Sequence, residues 1–447
     1  MRVMLVCHRF PPDDLGGVEQ YSHSLAKELA ASGDSVSVVA RRSASSLLTP
    51  RMIRERLPEG IRLYRLLAGK FKLDGFLDEQ PELTRLFTMA LLESAPEIVH
   101  INHLMGFSPQ IIRVARRFGA AVVVSLHDFF FACPRVHLQK LTGVRCKGPN
   151  FGSECVSSCF AINGQGDQQY WGLRTIYFQR ALQMADRVIA YSQYVASYFQ
   201  PMCNVQIDVI ENGVPANCTP SNDVEPETMA KRTLTLAYCG TVAPHKGPHA
   251  IIAALQLANL ERVSIRVIGQ TVDGEYAARL REKAAAVSGL NLQIYGKFSR
   301  SDLPLLLRGV DCVIVPSQVP EAGPIVPREA LACGVPVVAS RLGALPELIT
   351  EGENGFTFDP DCPEQLAAIF RRLADEENLL PRLRAGARKS PVVTSAQHAK
   401  CVRDVYEGAL GSSSKTLTQS LQAAELDFLY DALLERERHP RTTLAIG

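Results

Sequence analysis

Along residues 1–200, short apolar runs alternate with stretches whose apolar positions recur at helical spacing. Arg2–Cys7 reads as a strand, followed by a loop carrying Gly16-Gly17 and by a helix over Glu19–Ala31 that Gly33 closes. The pattern predicts further strands over Ser35–Ala40, Ile61–Leu66, Ile98–Ile101, Ala121–Leu126 and Arg187–Tyr191, with helices such as Pro109–Phe118 and Tyr170–Met184 between them. Strands that alternate with helices pair in parallel through right-handed crossovers. Over 201–232 the pattern lapses into Pro201, Asn212-Gly213, Pro215, Pro220 and Pro226, a linker composition. A second alternation follows, with strands over Leu234–Cys239, Ser264–Ile268, Leu292–Ile294, Cys312–Val315 and Val335–Ala339. Its helices start at Pro248 and span Tyr276–Val287, Asp302–Leu307, Pro327–Ala332 and Pro363–Leu373. The predicted class is α/β, with two doubly wound domains, 1–200 and 233–392, facing across a cleft and binding ligands at the carboxyl ends of their strands. Residues 393–447 are expected to be helical and to cross back to the first domain. After Gly411-Ser412-Ser413-Ser414, Leu417, Leu421, Ala424 and Phe428 mark an amphipathic helix, widened by Leu426, Leu429 and Leu433. It suits packing on its own chain, with oligomer contact or membrane docking as alternatives.

Composition narrows the function. The chain has 447 residues, 48 Lys+Arg and 46 Asp+Glu, a net charge of +2 that gives no footprint for nucleic acid. With 46% hydrophobic and 21% charged residues it is globular. No apolar run is long enough to span a membrane. The opening Met1–Val6 runs into Pro11-Pro12 without a small-residue cleavage site, so it reads as a strand and the expected location is cytoplasmic. Arg41–Lys72 carries nine Lys/Arg against two Glu, an excess of +7. This is either a solvated face or an attraction to anionic lipid or a charged acceptor, the basis for an expected peripheral contact with the inner face of a membrane.

The most specific segment runs from Pro316-Ser317-Gln318-Val319-Pro320-Glu321-Ala322-Gly323-Pro324-Ile325-Val326-Pro327-Arg328-Glu329 through Ala330-Leu331-Ala332-Cys333-Gly334-Val335-Pro336. A buried strand leads into a loop carrying Glu321, then into a helix opened by proline and carrying Glu329. Backbone N–H groups at a helix start suit an anion, and carboxylates eight residues apart suit sugar and ribose hydroxyls.

This segment resembles the Glu-x7-Glu motif of retaining glycosyltransferase family 4, whose GT-B fold pairs two Rossmann-like domains. Several further motifs look like those of the family, in the same order. They are Gly16-Gly17-Val18-Glu19, His127-Asp128 after a strand, Glu211-Asn212-Gly213-Val214, Gly240 through Lys246-Gly247, Tyr295-Gly296-Lys297 and Gly352-Glu353-Asn354-Gly355-Phe356. The resemblance implies that a sugar passes from a nucleotide-diphosphate donor to a glycan, lipid-linked or small-molecule acceptor, with no cofactor required for catalysis. Lys246 would meet the donor diphosphate, Glu321 the donor sugar and Glu329 the ribose. Gly16 and Gly17 would let the backbone approach phosphate or acceptor. The backbone of Gly323, Ile325 and Val326 would contact phosphates and sugar. His127 would face the donor sugar, and the backbone near Gly296 and Lys297 the base.

Two departures stand out. Thr241 follows Gly240 where the family usually carries Arg, and Pro324 offers no N–H. Arg9, Arg135 and Arg341 are the cations available to replace the missing charge. Two other readings therefore stand beside the transferase: a nucleotide-sugar-binding protein with little turnover, and a GT-B nucleotide-sugar epimerase.

An insert over 129–169 carries Cys133, Cys146, Cys155 and Cys159, with twelve, eight and three residues intervening. Four thiolates match the ligand number of structural zinc, but the spacing lacks paired Cys-x2-Cys knuckles. Reduced thiols and two disulfides are the alternatives, the latter disfavoured in the cytosol. The insert follows His127-Asp128 directly and is expected to shape the acceptor site.

Overall fold

The computed structural model describes residues 1–12, 16–44, 49–69, 80–160, 167–219 and 233–412. The chain forms two compact units, one built from Met1–Glu211 with the segment from Ala396 onward, the other from Asn212–Ser395.

The first unit is built on an eight-stranded sheet: β1 (Arg2–Cys7), β2 (Ser35–Ser43), β3 (Arg51–Arg56), β4 (Arg62–Ala68), β5 (Ile98–Ile101), β6 (Ala121–Leu126), β7 (Arg187–Ala190) and β8 (Ile207–Val209). Their order is β3-β4-β2-β1-β5-β6-β7-β8. Every pairing is parallel except β3 with β4. β5 and β6 are buried at every position, because a strand covered by helices on both faces needs a continuous apolar run. β3, with the sequence Arg-Met-Ile-Arg-Glu-Arg, lacks such a run and sits at the edge, where charge discourages strand addition.

The second unit has six strands: β9 (Leu234–Cys239), β10 (Val263–Ile268), β11 (Leu290–Gly296), β12 (Cys312–Val315), β13 (Val337–Ser340) and β14 (Gly355–Phe358). They are ordered β11-β10-β9-β12-β13-β14 and paired in parallel throughout. Its main core joins β9, β10 and β12 to Ile251, Leu255, Leu366, Phe370 and Leu383 of the flanking helices.

In each sheet the order reverses once: between β1 and β5 in the first, between β9 and β12 in the second. At such a point neighbouring loops diverge and leave a crevice at the carboxyl ends of the strands. His8, His103 and His127 follow β1, β5 and β6; the loops after β9 and β12 carry Gly240–Gly247 and Pro316–Ile325.

The structure corrects the 201–232 linker. Ile207–Val209 is strand β8 of the first sheet. Val214 belongs to the second unit, where its N–H donates to Val393 O and its carbonyl accepts from Ser395 N. Residues 220–232 and the expected amphipathic helix after Ser414 lie outside the described residues. No helix among the described residues is long and apolar enough to cross a membrane.

The helix Ser395–Ser412 packs on the first unit through Ala399, Val402, Val405, Tyr406 and Ala409. A one-way chain of buried hydrogen bonds fastens it. His398 Nδ1 lies 2.7 Å from Glu211 O, so it carries the proton, and its Nε2 accepts from Tyr21 OH at 3.0 Å. Tyr21 then accepts from Tyr191 at 2.7 Å, and Tyr191 from Ser125 Oγ at 2.6 Å. His100 Nε2 donates to Ser125 Oγ at 2.7 Å, and Tyr406 OH donates to His100 Nδ1 at 2.7 Å. Each of the six groups donates once, and the chain ends on a carbonyl, which needs no proton of its own.

Tyr406→Phe leaves His100 Nδ1 without its donor and is expected to cost about 1–3 kcal/mol in chemical denaturation. Burial lowers the His100 pKa from 6.5 to about 3, with His398 adding to the effect. The unfolded chain therefore binds a proton at His100 below pH 6.5 that the folded chain refuses. Stability is expected to be full above about pH 6.5 and to fall by about 1.4 kcal/mol per pH unit from this residue as pH drops toward 3, checked by melting between pH 7.5 and 5.

Candidate active site

In the second unit, β9 ends at Cys239 and the chain turns through Gly240 (φ 148°) into Thr241, which is exposed. A short 3-10 turn over Pro244–Lys246 ends at Gly247, whose φ is 72°. A Cβ on Gly247 would stand 2.0 Å from Pro316 O. Only glycine admits this approach of the β9 loop to the β12 loop, which is completed by Gln318 N donating to His245 O at 2.8 Å.

The contact brings Lys246 Nζ to 2.7 Å from Glu321 Oε1, and Ser317 Oγ donates to the same oxygen at 2.7 Å. Lys246 keeps a third of its side chain exposed and Glu321 a sixth, so the pair lines the crevice within reach of a ligand. The backbone of Glu321 is fixed from behind by Ala344 N, which donates to its carbonyl at 2.8 Å. A Cβ on Gly343 (φ 62°) would meet that same carbonyl oxygen at 2.3 Å. Asn212 Nδ2 donates to Gly323 O at 2.9 Å, so the Glu211-Asn212-Gly213-Val214 turn braces the Gly323–Val326 stretch.

Glu329 sits in the helix Val326–Ala332 and is buried. Its Oε1 accepts from Arg300 Nε at 2.8 Å and Nη2 at 2.6 Å. Burial raises its pKa while Arg300 opposes the rise. Arg300 was not foreseen; it lies beyond Gly296 (φ 72°) and the exposed Lys297, on the turn after β11. Pro324, Ile325 and Val326 lead into the helix. The sequence brought Lys246, Glu321 and the Gly240 and Gly323 loops to one place, and Glu329 to the adjoining helix. Of the proposed replacement cations, Arg341 is engaged with Thr357 Oγ1 at 3.2 Å and Arg135 with Gln139 O at 3.3 Å.

In the first unit, Gly16 caps the helix Gly17–Ala31, and a Cβ on Gly17 would meet nothing within 4 Å. Glu19, on that helix, accepts from His8 Nε2 at 3.0 Å. Burial pushes Glu19 upward, but His8, its own backbone N–H and Arg9 together hold its pKa below the ordinary value. The His8 and His103 rings stand 4.5 Å apart. His103 Nδ1 accepts from Met105 N at 3.0 Å, so its Nε2 carries the proton and donates to Asp128 Oδ2 at 2.8 Å. Asp128 Oδ1 accepts from Phe130 N at 2.8 Å. Burial opposes ionisation of Asp128, but His103 and the Phe130 N–H prevail and lower its pKa to about 2.

His127 and Asp128, adjacent in sequence, thus serve different partners. His127 stacks on Tyr191 at 4.4 Å and meets Tyr21 edge-on at 4.4 Å, two rings that the buried hydrogen-bond chain holds in place. Its Nε2 is buried without a hydrogen-bond partner, and burial lowers its pKa well below 6.5, so it is a neutral imidazole. Part of the basic segment is internal: Arg41 donates to Gly106 O and Gly69 O, and Arg65 to Phe10 O, Pro11 O and Glu55. The four insert cysteines line one cavity. No group of three or more His, Cys, Asp or Glu among the described residues is placed as a ligand set.

Comparison with known proteins follows the same division. The Glycosyltransferase Family 4 model matches residues 15–217 and the model for glycosyl transferases group 1 matches 221–390. Glycogen synthase of Mycobacterium tuberculosis (strain ATCC 25618 / H37Rv) is 22% identical over 393 residues, covering 87% of this chain and 90% of that protein. D-inositol 3-phosphate glycosyltransferase of Thermomonospora curvata is 27% identical over 403 residues, covering 84% and 86%. The structure of Anabaena HepE, solved with UDP and glucose, superposes with a TM-score of 0.66 at 19% identity over 91% of this chain and 99% of that one.

Arg300→Ala removes the partner of a buried carboxylate and is expected to destabilise the second unit by about 3–5 kcal/mol. Adding Glu329→Gln should recover most of that loss, and chemical denaturation of the two variants checks the coupling.

Proposed function

The chain belongs to glycosyltransferase family 4 and has the GT-B fold, and from that premise we propose that it transfers a sugar, with retention of anomeric configuration, from a nucleotide-diphosphate donor to a hydroxyl of a carbohydrate or polyol. The observation that carries this reading is the meeting of Lys246, Ser317 and Glu321 at the point where the second sheet reverses its strand order.

In this reading the donor diphosphate lies against the Gly240–Gly247 loop. Lys246 turns from Glu321 toward the phosphate as charge builds on the leaving group, which lowers the barrier to an oxocarbenium-like state. Glu321, relieved of part of its counter-charge but kept in place by Ser317, accepts from hydroxyls of the donor sugar. Glu329 accepts from the ribose, and Arg300 holds its carboxyl in place until then. The leaving phosphate takes the acceptor proton, since Glu321 is committed to its own contacts and no role as nucleophile falls to it. In the first unit, neutral His127 offers its Nε2 to a sugar hydroxyl. The His8–Glu19 and His103–Asp128 pairs supply polar groups for the acceptor side, which suits hydroxyl-rich molecules such as the glycogen and D-inositol 3-phosphate in the names of two relatives.

The sugar hydroxyls shift as the bond to phosphate breaks, whereas the ribose hardly changes. Glu321→Gln is therefore expected to lower kcat strongly while leaving nucleoside-diphosphate affinity nearly intact. Glu329→Ala is expected mainly to weaken binding of donor and free diphosphate. Steady-state kinetics on a panel of nucleotide sugars with candidate acceptors, plus calorimetry of the diphosphate, checks both. Lys246→Ala should cost roughly 10- to 100-fold in kcat/KM. Sugar altered without acceptor would identify an epimerase, and tight binding without turnover a binding protein; either outcome refutes the transferase reading.

A further inference from the structure

The insert after His127-Asp128 is more ordered than its sequence suggests. Phe129 packs against Tyr194, Tyr198 and Phe199, and Phe160 stacks on Trp171 at 3.9 Å. Glycine at 152 (φ 88°) lets the turn Asn150–Gly152 lie on the helix Gln168–Gln183; a Cβ there would stand 2.6 Å from Gln168 O. Between these clamps Cys133, Cys146, Cys155 and Cys159 line a single cavity of about 10 Å³, the size of one water molecule or one ion.

Three features of its wall suit sulfurs that bind a cation. The first is a set of backbone donors to sulfur. Gly148 N donates to Cys146 Sγ at 3.4 Å, with Cys146 Sγ also 3.2 Å from Gly148 O, and the N–H groups of Arg135 and Leu138 lie against Cys133. Donors of this kind favour an ionised sulfur, and in Cys133-Pro134-Arg135 and Cys146-Lys147-Gly148 they come two residues after the cysteine. The second feature is cationic surroundings. The buried Arg174 guanidinium faces Cys133 and Cys155, and Arg135 and Lys140 face Cys159. The third is backbone cost. Of the six non-glycine residues with positive φ among the described residues, Val136, Leu138, Asn150 and Phe151 all fall in this insert. Such conformations persist only where the surroundings over-determine them.

We propose that Cys133, Cys146, Cys155 and Cys159 bind one Zn2+ as a tetrathiolate that fixes the insert behind His127. Each thiol loses its proton as its sulfur bonds to the ion, so Zn2+ plus four thiols gives a dianionic centre and four protons. Arg174 and Arg135 offset that charge, while Lys140 is paired at 2.7 Å with Glu154, which lines the same cavity. In the structure the four sulfurs line one cavity without converging as a ligand set, and binding of the ion draws them together. In the bound centre each sulfur stands about 2.3 Å from the ion.

The test uses the full chain, purified without chelator. Elemental analysis should find about one zinc per chain, falling at least fivefold in Cys155→Ser/Cys159→Ser and unchanged in the control Cys203→Ser. Replacement by Co2+ should give the visible bands of tetrahedral cobalt and the near-ultraviolet bands of cobalt–thiolate charge transfer. The cobalt spectrum is read on the unmutated chain, so the test stands even if the double variant fails to fold. Metal-free protein with no cobalt bands and four freely alkylated thiols overturns the proposal, as does a mass showing disulfides among these cysteines.

Discussion

A parallel sheet that reverses its strand order once has one place where loops part, and both units carry their candidate site residues there. In the second unit β9 pairs directly with β12 although three strands' worth of sequence separates their loops. The pairing sets Gly240–Gly247 beside Pro316–Ile325, and the Lys246–Glu321 ion pair of 2.7 Å follows from it. In the first unit the same reversal sets His8 beside His103, with His127 on the next strand end. The glycines are the means of approach: Gly247 and Gly343 sit where a side chain would collide with Pro316 or Glu321 backbone.

Charge in the second unit is balanced internally before any ligand arrives. Glu321 is held by Lys246, and Glu329 by Arg300. The two pairs differ in burial, and that difference divides their work. Glu329 is almost wholly inaccessible, and Arg300 opposes the rise in pKa that its burial causes. The Lys246–Glu321 pair is partly solvated, so its net strength is small and a diphosphate can compete for the lysine. With Thr241 in place of the usual Arg, that competition rests, in the proposed reading, on Lys246.

The sequence was most legible where burial is two-sided. β1, β5, β6, β9 and β12 follow apolar runs whose ends coincide with the structure, because a central parallel strand favours apolar positions and admits a polar one only where it is hydrogen-bonded, as His100 and Ser125 are. β3 was not foreseen, since Arg-Met-Ile-Arg-Glu-Arg carries no apolar alternation and gains its place only by pairing with β4. β8 was misread as linker because three half-exposed residues amid prolines give no periodicity. In the site, motifs located Lys246, Glu321 and Glu329, but Arg300 lay beyond them: its partner is 29 residues away in sequence, a contact that only the fold creates. His127 and Asp128 looked like a pair through adjacency. In the structure they diverge, one to the Tyr21 and Tyr191 rings and the other to His103.

In the proposed reading the loops after β9 and β12 form a diphosphate site whose cation is Lys246. Calorimetric titration of the full chain with nucleoside mono- and diphosphates of the same base tests it most directly, with Lys246→Met measured alongside. A charge-assisted contact of about 1.5–3 kcal/mol predicts that the diphosphate binds roughly 10- to 100-fold more tightly than the monophosphate, and that most of this advantage vanishes in Lys246→Met. Equal affinity for mono- and diphosphates, or an advantage that Lys246→Met leaves intact, would contradict the account.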